Sequence, residues 1–106
     1  MGSITVEELK QLVDRGGPQI LLDVREEWEY GLCKIDGSIN IPMSEISNRL
    51  DELDPNSDIV VICHHGNRSF QVACYLENSG VGKIIMNLEE GINAWAERID
   101  NNILTY

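Results

Sequence analysis

Basic residues are scarce in this chain: 8 Lys and Arg stand against 18 Asp and Glu, for a net charge of −10 at pH 7. Nucleic-acid backbones and anionic bilayers are gripped by surplus Lys and Arg, so both are excluded as general partners, and a small anionic substrate has to be drawn in by a local field. Long apolar runs are also lacking. No stretch approaches the ~20 residues that span a bilayer, and the amino terminus has neither the basic nor the apolar region of a signal peptide. Unless Met1-Gly2-Ser3 stands in place of a removed leader, the expected location is the cytoplasm. Cysteine is limited to 3 residues, an odd number without framework spacing, which points to a reducing compartment and at least one free thiol. Cys63, His64 and His65 are adjacent, but no second ligand pair with zinc-like spacing accompanies them, so neither a metal nor a cofactor is expected. Repeats, low-complexity tracts and linkers are absent, and 106 residues with 42% apolar and 25% charged content predict one folded domain over residues 1–106.

What is present alternates between two periods. Ile20-Leu21-Leu22-Asp23-Val24, Ile59-Val60-Val61-Ile62 and Ile84-Ile85-Met86 read as buried strands, and Ser38-Ile39-Asn40-Ile41 as a shorter one stopped by Pro42. Between them lie helical stripes. Leu9, Leu12 and Val13 follow a Thr5-Val6-Glu7-Glu8 capping box and end at Gly16-Gly17. Met43, Ile46, Leu50 and Leu53 mark one helix face, Val72, Ala73 and Leu76 another, and Ile92, Trp95, Ala96 and Ile99 a last one. A short helical turn over Arg25 to Tyr30 carries an aromatic anchor, and Leu32 to Gly37 reads as a loop. Strands alternating with helices at these intervals predict an α/β fold with a mainly parallel sheet and helices on both faces. In such sheets the site lies beyond the carboxyl ends of the strands.

Cys63 falls at that position. The run Ile59 to Ile62 stops at a cysteine and continues His64-His65-Gly66-Asn67-Arg68-Ser69, so strand, tight loop and helix follow one another. Unpaired N–H groups and the positive end of the helix dipole hold an anion there, either the cysteine's own thiolate or a group attached to it. Arg68 supplies a fixed charge and a forked donor, and Gly66 a backbone that most residues cannot adopt. Ser69 is placed as the helix cap. Structural readings compete: a cysteine at a strand end is often simply buried, and the two histidines can be solvated loop residues.

Four blocks in order and spacing carry a resemblance. Leu22-Asp23-Val24-Arg25-Glu26 with Trp28-Glu29-Tyr30, Ile35 to Pro42, Val61 to Ser69, and Asn87-Leu88-Glu89-Glu90-Gly91-Ile92-Asn93-Ala94-Trp95 resemble a rhodanese (sulfurtransferase) domain. The resemblance implies a single rhodanese-like domain whose Cys63 takes sulfane sulfur from thiosulfate or a protein persulfide and passes it to cyanide, a small thiol or a sulfur-carrier protein. It implies a substrate-binding ring of His64, His65, Gly66, Asn67, Arg68 and Ser69, with Asp23 and Arg25 as supports near the loop. The tail, Trp95 through Asp100 to Tyr106, resembles rhodanese domains that accompany enzymes activating ubiquitin-like sulfur carriers. Lys34 and Asp36 replace the usual His and Pro before Gly37, and Glu90 replaces the first of two glycines. Cys33 lies in the same rim segment, either as a surface thiol without a role or as a resolving thiol for Cys63, and Cys74 is a packing residue. The alternatives are a rhodanese module that only binds partners, which Cys63 and Arg68 argue against, and a phosphatase or arsenate reductase, which resemblance assigns a loop one residue longer.

Overall fold

The computed structural model describes residues 1–103, so the last residues of the tail, including Tyr106, lie outside the description. Five parallel strands, β1 (Gly2–Ile4), β2 (Ile20–Asp23), β3 (Ile39–Asn40), β4 (Ile59–Ile62) and β5 (Ile85–Leu88), form one sheet in the order β1-β5-β4-β2-β3. The helices are α1 (Val6–Asp14), α2 (Glu27–Leu32), α3 (Asn67–Asn78) and α4 (Gly91–Arg98). The fold is the expected α/β arrangement with helices on both faces. No helix among the described residues is long and apolar enough to cross a membrane.

Strand β4 shows why the sheet needs both layers. Side chains alternate across a strand, and all four of its residues are fully buried. Val60 and Ile62 join Ile4, Leu9, Leu88 and Trp95 under α1 and α4. Ile59 and Val61 join Leu22, Ile46, Val72 and Leu76 on the opposite face. The capping box holds as read: Glu8 N donates to Thr5 Oγ at 3.1 Å, and Thr5 N to Glu8 Oε1 at 2.9 Å.

Two local readings are corrected and a third is made specific. The sheet has a fifth strand, β1, paired in register Ile4 to Leu88 along β5. Only Ile4 of its three residues is buried, so the segment offers no apolar alternation to detect. The stripe Met43, Ile46, Leu50 and Leu53 is two 3₁₀ stretches, Met43–Asn48 and Leu50–Glu52, rather than one α-helix. Its apolar pairs stand three residues apart, which suits three residues per turn, and the chain resets at Arg49, φ −129°. In α2 the aromatic anchor is Tyr30, whose hydroxyl donates to Ser38 O at 2.6 Å, whereas Trp28 is 63% exposed.

Leu76, fully buried under the sheet, and Thr5, at an exposed cap, give a graded test of this packing. Leu76→Ala is expected to cost about 2–5 kcal/mol and Thr5→Ala about 1 kcal/mol, measured by denaturant titration with unchanged slope.

Candidate active site

Strand β4 delivers Cys63, 2% exposed, to the carboxyl end of the sheet, and α3 begins four residues later. The sulfur is held from two sides. Gly66 N donates to Cys63 Sγ at 3.0 Å, and Ser69 Oγ lies 3.2 Å from the same sulfur. Gly66 makes this turn with φ +104°, and a β-carbon on it would stand 2.0 Å from the carbonyl oxygen of Glu89. Gly91 meets the loop from the other side: at φ +70°, its β-carbon would stand 2.2 Å from His64 O and 2.6 Å from Cys63 O. Two hydrogen bonds close the approach, Ile92 N to Cys63 O at 2.9 Å and Asn93 N to His64 O at 3.2 Å. The loop is therefore bound, backbone to backbone, to the connection between β5 and α4.

That contact explains one departure from the family pattern. Gly91 occupies a position where only glycine fits, whereas Glu90, with φ −102° and ψ −1°, has a backbone open to any residue and an exposed side chain. Lys34 and Asp36 are likewise exposed, and the Lys34 ammonium lies 5.1 Å from the Tyr30 ring centre.

Ser69 does not cap α3. The helix starts at Asn67 with Gly66 as its cap residue, which places Ser69 in the third helical position, fully buried. Its hydroxyl donates to Asn87 Oδ1, and Asn87 Nδ2 donates to Gly66 O at 3.2 Å. Arg68 is engaged by a carboxylate: Nη1 and Nη2 donate to Glu29 Oε1 and Oε2 at 2.7 and 3.0 Å, a fork-to-fork pair joining α3 to α2. Glu29 is 4% exposed and also accepts from Glu26 N at 2.9 Å. The positive charge that the sequence places beside the sulfur is thus largely offset by a neighbouring negative one.

Asp23 and Arg25, both fully buried, form the strut behind the rim. Arg25 Nε and Nη2 donate to Asp23 at 2.9 and 2.7 Å, and Nη2 donates to Cys33 O at 2.6 Å. Asn40 Nδ2 ties in both backbones, donating to Asp23 O at 3.0 Å and Arg25 O at 2.9 Å. Cys33 is neither a surface thiol nor a partner facing Cys63. It is 8% exposed and belongs to the apolar cluster under α1 and α4, while Cys63 belongs to the cluster on the other face. All three cysteines are free thiols, and Cys74 is half-buried on α3.

Four residues at this end escape a reading from local pattern: Glu29, Asn40, Asn87 and Gly91. Asn87 alone carries a signal in the chain itself, as a buried polar residue inside an apolar strand. His64 is half-buried and His65 exposed, their rings 4.0 Å apart and tilted by 30°. Burial pushes the His64 imidazole below its usual value of 6.5, and the charges of His65, Arg25 and Arg68 push the same way against Glu29. His64 is therefore neutral at neutral pH. Asn67 is exposed on the first turn of α3.

A buried thiol at the carboxyl end of a central parallel strand, set into a tight loop ahead of a helix, is the feature around which this α/β domain is built. The chain belongs to the rhodanese-like domain family, whose model matches residues 5–98. It is 37% identical over 97 residues to YrkF of Bacillus subtilis, named as a candidate sulfur carrier protein, covering 92% of this chain and 52% of YrkF. It is 33% identical over 96 residues to a protein of Allochromatium vinosum named sulfurtransferase, covering 91% and 89% of the two chains. The crystal structure of a rhodanese-like domain protein from Staphylococcus aureus superposes with a TM-score of 0.83 at 35% identity, over 90% of this chain and 91% of that one. The chain thus spans about half of YrkF and most of the other two.

Two outcomes follow from the charges at this end. The unfolded chain takes a proton on His64 near pH 6.5 that the folded site resists, so stability is lost as pH falls through and below that value. His64→Asn is expected to flatten this loss in melting curves collected across the interval. Glu29→Gln, which breaks the bidentate pair with Arg68, is expected to destabilise by about 1–3 kcal/mol in a denaturant titration, whereas Asp14→Asn, at the exposed Lys10 pair, leaves the midpoint unchanged.

Proposed function

We propose that this domain is a persulfide-forming sulfurtransferase with Cys63 as the nucleophile. The observation that carries the reading is the sulfur's position: Cys63 Sγ, at the end of β4 and ahead of the amino end of α3, accepts the Gly66 N–H at 3.0 Å. A donor backbone amide and the positive end of a helix dipole favour negative charge at that point. The names of the relatives, sulfurtransferase and sulfur carrier, support the same class of chemistry.

With thiosulfate as donor, the Cys63 thiolate attacks the outer sulfur. A bond forms between Sγ and that sulfur, the sulfur–sulfur bond to the SO₃ group breaks, and sulfite leaves with the electron pair. Cys63 is left as a persulfide anion, so charge is conserved. A nucleophile, cyanide or a thiolate, then attacks the outer sulfur, the bond to Sγ breaks, and the Cys63 thiolate is regenerated with thiocyanate or a new persulfide as product. A protein persulfide enters by the same displacement, with a thiolate as leaving group. The substrate-facing ring is His64, His65, Gly66, Asn67, Arg68 and Ser69. Within it, Gly66 donates to the sulfur, Ser69 lies beside it with its hydroxyl bonded to Asn87, Arg68 braces α3 against α2 through Glu29, and Asp23 with Arg25 holds the rim. Three free thiols fit a reducing, cytoplasmic setting.

Intact-protein mass spectrometry tests the proposal. Incubation with thiosulfate, or with a persulfidated donor protein, is expected to add the mass of one sulfur to the parent chain and none to Cys63→Ser, and cyanide is expected to remove it. No gain with either donor, from protein that is folded and reduced, would overturn the reading in favour of a domain that binds without turnover.

A further inference from the structure

Cys63, Ser69, Asn87 and Gly66 close a ring of hydrogen bonds in which the protons can be counted. Asn87 is 5% exposed, and its amide orientation follows from Nδ2, which donates to Gly66 O at 3.2 Å and leaves Oδ1 to face Ser69. Oδ1 can only accept, so the single Ser69 hydroxyl proton is directed to it. Cys63 Sγ, 3.2 Å from Ser69 Oγ, then completes the ring as a donor, while the Gly66 N–H at 3.0 Å donates back to the sulfur. In the thiol state every donor in the ring has an acceptor. In the thiolate state Sγ has no proton to give, and Ser69 can serve the sulfur only by turning its proton away from Asn87. That strands a buried acceptor, which is costly. In a persulfide the charge sits on the outer sulfur, and Ser69 keeps its bond to Asn87 at no such cost.

We propose that Asn87 is a positioning residue that turns the Ser69 hydroxyl proton away from Cys63, so that the ring favours the thiol and the persulfide over the bare thiolate. This rests on Cys63 being the reacting sulfur, and it extends that reading by assigning the choice of state to a residue on β5. Other charged groups surround this end of the sheet: His64 and His65 in the loop, Arg68 on α3 with Glu29 on α2, Asp23 and Arg25 at the end of β2, and Glu89 and Glu90 before α4. They are common to parent and variants, so they cancel in the comparison.

The test is the pH–rate profile for alkylation of Cys63 by iodoacetamide, read by peptide mass mapping so that Cys33 and Cys74 do not contribute. The reagent is neutral, and the readout does not depend on sulfur loading, so failure here is separate from failure of the sulfurtransferase reading. Asn87→Leu frees Ser69 to donate to sulfur and is expected to move the midpoint about one pH unit lower, making alkylation about tenfold faster on its acid side. Ser69→Ala alone is expected to leave the midpoint within about half a unit of the parent, and in the Asn87→Leu background to abolish the shift. A rise of about one unit or more from Ser69→Ala alone would overturn the proposal, because Ser69 would then already be donating to the thiolate; that result is decisive even if Asn87→Leu does not fold. An Asn87→Leu shift that persists without Ser69 would overturn it as well.

Discussion

The site depends on a close approach of two backbones. The Cys63–Gly66 loop and the connection from β5 to α4 touch with no side chain between them, because Gly66 and Gly91 both present α-carbon hydrogens where a β-carbon would collide with carbonyl groups. Everything that addresses the sulfur is referred to that contact. It sets the turn that aims the Gly66 N–H, it brings Asn87 within reach of Ser69, and it places the amino end of α3 behind Cys63. The parallel sheet provides two adjacent strand ends, β4 and β5, and the glycines let their loops meet.

Charge is arranged around this contact in paired form. Asp23 and Arg25 form a fully buried ion pair whose remaining guanidinium donors reach Cys33 O, Cys33 Sγ and Glu29 O. Taking such a pair out of water costs about as much as its attraction returns, so its value lies in locking one arrangement of the rim. The Arg68–Glu29 pair is half-buried and spans 39 residues of sequence, which makes it a tie between α2 and α3. With both guanidiniums matched by carboxylates, the favourable field at Cys63 comes mainly from backbone dipoles. This local field sits in a chain whose net charge is −10.

The parts of this arrangement that were legible in the sequence are those written in consecutive residues. Ile59 to Ile62 announce a buried strand, Cys63 to Arg68 a loop that turns into a helix, and Thr5 to Glu8 a cap. Glu29 and Asn87 were not legible in their roles, because their partners lie 39 and 18 residues away and only the sheet order brings them together. The place of Ser69 near a helix start reads as a cap. The helix begins two residues earlier because Gly66, in a left-handed conformation, already turns the chain. Strand β1 is too short to leave a pattern, and the 3₁₀ stretches read as α-helix because apolar residues three apart satisfy both periods. The loop-like segment Leu32 to Gly37 puts Cys33 at the rim, as a surface or a resolving thiol, whereas Arg25 draws its backbone inward.

The backbone contact is tested most directly by the alkylation rate of Cys63 in Gly66→Ala at a single pH, in protein whose far-ultraviolet spectrum shows the sheet and helices retained. A β-carbon at this position meets Glu89 O at 2.0 Å, and the chain must open the loop to accommodate it. The account predicts a change in rate of about tenfold or more, because the Gly66 N–H and the Ser69–Asn87 pair lose their registration with the sulfur. An unchanged rate would contradict it, since the reactivity of Cys63 would then owe nothing to the contact between the two loops.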